Sequence, residues 1–171
     1  MIKMKKLKGK NIIVELIPTH SKSEYGYVVQ LSALKLNDLN LIDRFDYRVC
    51  DNLVWNKELL EMISYDKENF MYTNNTDTIM KEFSKWCEDY NLLIIDNEYT
   101  IDYLKNIPNK KESIFKYLGM EFSEDVIERI MEKYQLEPSN YIVDLLYESL
   151  IYASNDVNKT IKKVKKNKIL Q

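Results

Sequence analysis

The sequence predicts an α/β domain with a mixed sheet, made of a three-strand antiparallel meander plus parallel strands and flanked by helices. Three β-rich runs come first, with a short turn between the second and third. A short, wholly apolar run appears later and is typical of a buried parallel strand. Most other apolar residues recur at helical spacing. At 171 residues, the chain suits one domain with a core.

The first three strands are predicted to form the meander. Residues 11–17 are a β-branched apolar run that Pro18 ends. The second strand is expected over 25–36, and the polar pair 37–38 favours a turn. Alternation of apolar and polar residues over 39–49 predicts a third strand, antiparallel to the second.

The middle of the chain is predicted to add one long helix and one parallel strand. Residues 51–75 show no clear period, and a loop with a short helix near 57–63 is expected there. Apolar residues at three- and four-residue spacing predict a helix over 76–90. The run 92–95 is the predicted buried strand.

The last third is predicted to be mainly helical, and the stretch 112–118 fits either a strand or a helix. A meander that precedes the helices argues against the doubly wound nucleotide-binding folds. Helices are expected over 100–107, from a Ser123 cap to 134, over 138–154, and from an Asn155 cap onward.

The net charge of −2 conceals a division along the chain. The basic lead, 1–10, has five lysines and no acid, whereas 156–171 has six lysines and one acid. Residues 11–155 hold 14 basic and 26 acidic residues, a balance of −12. Basic ends suit nucleic acid or an acidic partner, although solvated tails are the simpler explanation. The lysines proposed to bind nucleic acid are Lys159, Lys162, Lys163, Lys165, Lys166 and Lys168.

Several kinds of site are excluded by composition. Cys50 and Cys87 are far apart and His20 is the single histidine, which argues against structural zinc and histidine-based catalysis. Three glycines are too few for a glycine-rich phosphate loop. No apolar run is long enough to span a membrane, and the start lacks a signal-peptide core, so we expect a cytoplasmic protein without a membrane partner. The kinds of activity that remain are catalysis by carboxylates or no catalysis.

The order of segments over 11–154 resembles that of the DnaQ-like, DEDD-family 3′-to-5′ exonucleases, which have a ribonuclease-H-like fold. That family carries acids at the end of its first strand, in a second motif with an aromatic residue, and in a third motif with a histidine base. The corresponding segments here are Glu15-Leu-Ile-Pro-Thr-His20, Tyr99-Thr-Ile-Asp-Tyr-Leu104 and Ser139-Asn-Tyr-Ile-Val-Asp144.

This resemblance implies a degenerate catalytic site. The two first-strand acids fall on Glu15 and Ile17, and the second-motif acid falls on Thr100. The base falls on Ser139 and the last acid on Asp144. Because two Mg²⁺ or Mn²⁺ ions need several anionic oxygens, Glu15 and Asp144 alone would hold one ion weakly.

Three functions follow as hypotheses. The first is a pseudoenzyme of the DnaQ-like type, without a cofactor, that binds a protein or single-stranded nucleic acid. The second is an active Mg²⁺- or Mn²⁺-dependent 3′-to-5′ exonuclease with a site rebuilt from Glu15, Asp144 and neighbours such as Asp96, Glu98 or Asp102. The third is an acidic protein-interaction module or inhibitor. The charge distribution and the resemblance together predict three segments: a basic N-terminal lead (1–10), an exonuclease-type domain (11–154) and a basic C-terminal helix or tail (155–171).

Overall fold

A mixed five-stranded sheet, flanked by helices, forms the centre of the molecule. It is seen in a computed structural model that describes residues 5–24, 26–48, 76–139 and 141–169. The strands are β1 (Lys10–Pro18), β2 (Val28–Asn37), β3 (Asn40–Arg48), β4 (Asn91–Ile94) and β5 (Lys111–Ser113). Their order across the sheet is β3-β2-β1-β4-β5, so β1 is central. The predicted α/β class with a mixed sheet is therefore confirmed.

The first three strands are antiparallel, and β4 and β5 run parallel to β1. The turn between β2 and β3 places Asp38 at a φ of 53°, a left-handed conformation that aspartate tolerates. The Asp38 backbone N–H donates to the Gly9 carbonyl at 2.7 Å, and its Oδ1 accepts from the Gly9 N–H at 2.7 Å. These bonds tie the turn to the start of β1.

The helices are distributed over both faces of the sheet. They are α1 (Thr76–Cys87), α2 (Glu98–Leu104), α3 (Val126–Tyr134) and α4 (Ile142–Ile169), with a 3₁₀ turn over Ile114–Tyr117. The stretch that fitted strand or helix contains both, because β5 leads directly into the 3₁₀ turn.

Strand β1 is buried on both faces, as expected for a central strand. Ile13 belongs to the buried cluster that contains Leu146 of α4. Ile12 and Val14 point to the opposite face and belong to the cluster that contains Phe83 of α1. By the same alternation, residue 15 lies on the α4 face. The alternation of side chains along β1 therefore directs the Glu15 carboxylate toward α4 rather than toward α1.

Helix α4 differs from the prediction of two helices. It continues without interruption past Asn155 to Ile169, because no glycine or proline occurs between its ends to break it. Helix α3 begins at Val126, and its N-cap is Asp125 rather than the predicted Ser123. None of the helices in the described ranges is long and apolar enough to cross a membrane. The short helix expected near 57–63 lies outside the described residues.

The basic lead at the N-terminus packs against the middle of α4. Leu7 is buried in the same cluster as Leu150 and Ala153 of α4. Lys6 and Ser154 line one small pocket at this contact. The described part of the basic lead thus lies beside the start of the lysine-rich half of α4.

Candidate functional site

Glu15 and Asp144, the two acids that match the motif positions, come together where β1 ends and α4 begins. The Glu15 Oε2 atom accepts a hydrogen bond from the Ile142 backbone N–H at 3.0 Å. Asp144 lies in the same first turn of α4, and its negative charge acts on Glu15. The strand acid thus satisfies one of the free N–H groups at the start of the helix, a favourable position for a carboxylate.

The Glu15 carboxyl group is sequestered from solvent. Its residue is 1% exposed, and its Oε1 atom accepts from the Gln30 side-chain amide at 2.7 Å. Burial raises the pKa of Glu15 from 4.5 to about 7, and the nearby charge of Asp144 also raises it. The hydrogen bonds from Ile142 and Gln30 and the positive charge of Arg48 oppose this rise. Both oxygens are held by the protein itself.

The Asp144 carboxylate is held by an arginine on the edge strand β3. Arg44 donates Nη1 to Oδ1 at 2.7 Å and Nη2 to Oδ2 at 3.2 Å, and its Nε donates to Asp46 at 2.6 Å. The hydrogen bonds to Asp144 raise the pKa of Arg44 above its ordinary value. The Arg44 and Arg48 guanidinium carbons lie 4.5 and 3.9 Å from the Tyr141 ring centroid. Arg44 therefore pairs with Asp144 while it lies, together with Arg48, against the Tyr141 ring.

The other motif positions add no anionic group to the site. Ile17 and Thr100 are 2% and 1% exposed, and Thr100 donates its backbone N–H to Asn97 Oδ1 at 2.9 Å. Ser139 is exposed, and its Oγ accepts from the Tyr141 backbone N–H at 3.1 Å. The serine thus supports the start of α4, and it is no general base near neutral pH.

The acids considered for a rebuilt site have partners elsewhere. Asp96 accepts from the Ser113 hydroxyl at 2.6 Å, and Glu98 pairs with Lys22 at 3.2 Å. Asp102 accepts from the backbone of the loop before β2 at 2.7 Å. Within the described ranges, no group of three or more His, Cys, Asp or Glu side chains could hold a metal ion. The residues present do not fit the two-metal site of the exonuclease family.

A cleft of about 400 Å³ opens beside Glu15, at the carboxyl ends of β1 and β4. We call it the α3 cleft, because α3 supplies one wall through Ile127 and Met131. Both residues have the four-residue spacing of a core-facing helix side, yet both are only half buried. The lining residues are Glu15, Leu16, Ile95, Asn97, Tyr99, Phe122, Ser123, Glu124, Val126, Ile127, Glu128, Met131, Pro138, Ser139, Ile142 and Leu145.

The lysines expected to bind nucleic acid are not part of this site. Lys159, Lys162, Lys163, Lys165, Lys166 and Lys168 all belong to the helical backbone of α4. With a rise of 1.5 Å per residue, the first of them is about 25 Å along the helix from Ile142. His20 lies in an exposed loop, where its Nδ1 is 2.8 Å from the Thr19 hydroxyl. Trp55, which the sequence offers as a candidate contact residue or a packed loop anchor, lies outside the described residues.

The fold and the site together define an α/β protein in which two neighbouring carboxylates, Glu15 and Asp144, are hydrogen-bonded by other groups of the protein. A largely apolar cleft lies beside them. No protein-family model matches the chain, and no curated protein matches it.

Proposed function

We propose that the chain is a ribonuclease-H-like homologue of the DnaQ-like exonucleases that binds a partner and does not cleave nucleic acid. The order β3-β2-β1-β4-β5 is compatible with that fold, since three antiparallel strands lead into two strands parallel to β1. The central strand and the last helix carry Glu15 and Asp144 at the positions that the family resemblance gives to metal ligands.

The Arg44–Asp144 pair is the observation that carries the proposal. A guanidinium group occupies both oxygens of the one partly exposed motif acid. Cation-dependent phosphodiester cleavage needs several unpaired anionic oxygens around two ions. Here one acid is neutralised by an arginine and the other is buried with a pKa near 7. The cluster is better suited to joining β1, β3 and α4 than to holding metal.

The test is a cleavage assay on labelled single-stranded DNA and RNA. With millimolar Mg²⁺ or Mn²⁺, we expect both strands to remain intact and the melting temperature of the protein to be unchanged. The Asp144→Asn variant should behave in the same way, and Asp77→Asn, on the exposed side of α1, serves as its charge-matched control. Metal-dependent shortening that is lost in Asp144→Asn but retained in Asp77→Asn would establish an active exonuclease instead.

The continuous α4 helix favours single-stranded nucleic acid as the partner. Positions 159, 162, 163 and 166 are separated by three and four residues, so the helical backbone places four lysine positions on one face. The basic lead packs at the same end of the molecule, and Lys6 and Lys8 are exposed there. A row of positive charge suits a phosphate backbone.

Replacing Lys159, Lys162, Lys163 and Lys166 by glutamine should therefore weaken single-strand binding. Each phosphate contact on a single strand contributes about 0.7 to the slope of log K against log salt, so the slope should fall by about 3. Fluorescence anisotropy over a salt series measures it. Glutamine at the exposed positions Lys81, Lys85, Lys105 and Lys133 is the matched control. If the parent binds no single strand, or if both variants lose affinity equally, the partner is a protein or the site is elsewhere.

A further inference from the structure

The α3 cleft has the walls of a binding site rather than those of a packed core. Ile127 and Met131 line the cleft and are only half buried, although they also pack against the core cluster that contains Val126 and Ile130. Phe122 stands at the rim with 43% of its surface exposed. A volume of about 400 Å³ is large enough for two bulky side chains of a ligand. The apolar face of the amphipathic helix α3 thus extends from the core to the cleft.

The charged side chains among the described lining residues of the cleft are all acidic. Three glutamates line it, Glu15 at the inner end and Glu124 and Glu128 on the α3 side. No Lys, Arg or His side chain is among its described lining residues. Glu124 lies just before α3 and Glu128 lies in its first turn, and both are exposed. A phosphate backbone would be repelled here, whereas a basic group beside an apolar one would be attracted.

We propose that the α3 cleft binds a segment of a partner protein in which two bulky apolar residues are flanked by lysine or arginine. The apolar side chains enter between Ile127, Met131 and Leu145, and the basic groups pair with Glu124 and Glu128. Apolar anchors in a pocket with a charged rim are the usual basis of peptide recognition. This inference goes beyond the proposed function, because it concerns a protein partner at the opposite end of α4 from the lysines.

The test uses a fluorescein-labelled hexapeptide of sequence KKLFKK and the full-length protein, with fluorescence anisotropy as the readout. We expect saturable binding that weakens as salt rises. Changing both rim acids, Glu124→Gln with Glu128→Gln, should lower the affinity by about fivefold to tenfold at low salt. The matched control is Glu82→Gln with Glu148→Gln, two exposed acids that do not line the cleft, and it should bind as the parent does.

Two comparison peptides and one wall variant separate the proposal from its alternatives. KKSSKK tests the acidic rim alone, the neutral SSLFSS tests the apolar walls alone, and both should bind at least tenfold more weakly than KKLFKK. Met131→Lys should abolish binding while the melting temperature stays near that of the parent, because Met131 is only half buried. Equal binding of KKLFKK and KKSSKK, no binding of any peptide, or binding unaffected by Met131→Lys would overturn the proposal. So would concentration-dependent dimerisation that Met131→Lys removes, since a second copy would then occupy the cleft.

Discussion

At pH 8, the Glu15→Gln variant is expected to be more stable than the parent by about 3 kcal/mol. Burial raises the pKa of Glu15 from 4.5 to about 7, so the folded protein keeps this proton to higher pH than the unfolded chain does. Stability from the protonated group is fully present below about pH 4.5 and is lost as the pH rises through 7. A shift of this size corresponds to about 3 kcal/mol. A neutral amide avoids that loss.

The hydrogen bonds around Glu15 allow the substitution. Gln30 Nε2 donates to the Glu15 carboxylate, while Gln30 Oε1 is buried without a hydrogen-bond partner among the described residues. Rotation of the Gln30 amide by 180° would let its oxygen accept from the new side-chain amide, and the new carbonyl can still accept from the Ile142 N–H. The same rotation would let Gln30 accept the proton of Glu15 below pH 7.

Urea unfolding at four values between pH 5 and pH 8 measures this effect. The free energy of unfolding of the parent should fall over this range, and that of Glu15→Gln should change less. Glu148→Gln, at an exposed position on α4, should keep the parent's pH dependence. A parent stability that rises from pH 5 to pH 8, with no difference between parent and Glu15→Gln, would show that Glu15 is not buried in this environment.

Removal of the Arg44 guanidinium should have the second largest effect on the free energy of unfolding. In a double-mutant cycle of Arg44→Met and Asp144→Asn, we expect a coupling energy of about 1–2 kcal/mol. Two charge-assisted hydrogen bonds join the pair, and the stacking on Tyr141 is lost only in the arginine variant. Both side chains are about a third exposed, so solvent screening keeps the coupling below that of a buried pair.

The matched control for this cycle is the Lys22–Glu98 pair. Its N–O distance is 3.2 Å, but its side chains are 55% and 79% exposed, and its coupling should lie within about 0.5 kcal/mol of zero. Thermal or urea unfolding of all four species of each cycle provides the values. If the two cycles gave the same coupling, Arg44 would contribute no more than an ordinary surface ion pair, and Asp144 would be available for other ligands.

Local sequence patterns predicted the sheet better than they predicted the site. The β-branched run of β1, the turn at 37–38 and the alternation of β3 are encoded within a few residues, and the three antiparallel strands follow from them. The pairing of Arg44 with Asp144 joins residues 100 positions apart and depends on where the first turn of α4 crosses the sheet. No short-range pattern encodes that crossing, so Arg44 was predicted only as one polar position of an alternating strand.

The sequence predicts two helices, over 138–154 and from Asn155 onward, where the structure has the single helix α4. Asn155 is a good helix cap by its chemistry, but asparagine is also tolerated inside a helix when the residues on both sides continue it. The cleft was missed for a related reason, because Ile127 and Met131 have the spacing of core residues. Only the position of α3 relative to the carboxyl end of β1 shows that they face an opening.

The unbroken course of α4 has a consequence for binding two ligands at once. The helix begins at the cleft and continues into its lysine-rich half, so it sets a spacing of about 25 Å between the two proposed contact regions. A nucleic acid and a basic protein segment would then bind without competing for the same surface. A partner protein that itself binds the same nucleic acid would gain avidity. Binding at one contact region of α4 would raise the effective concentration of the other ligand at the second contact region. In that role the chain would act as a bivalent adaptor, and the length of one helix would set the distance between its two ligands.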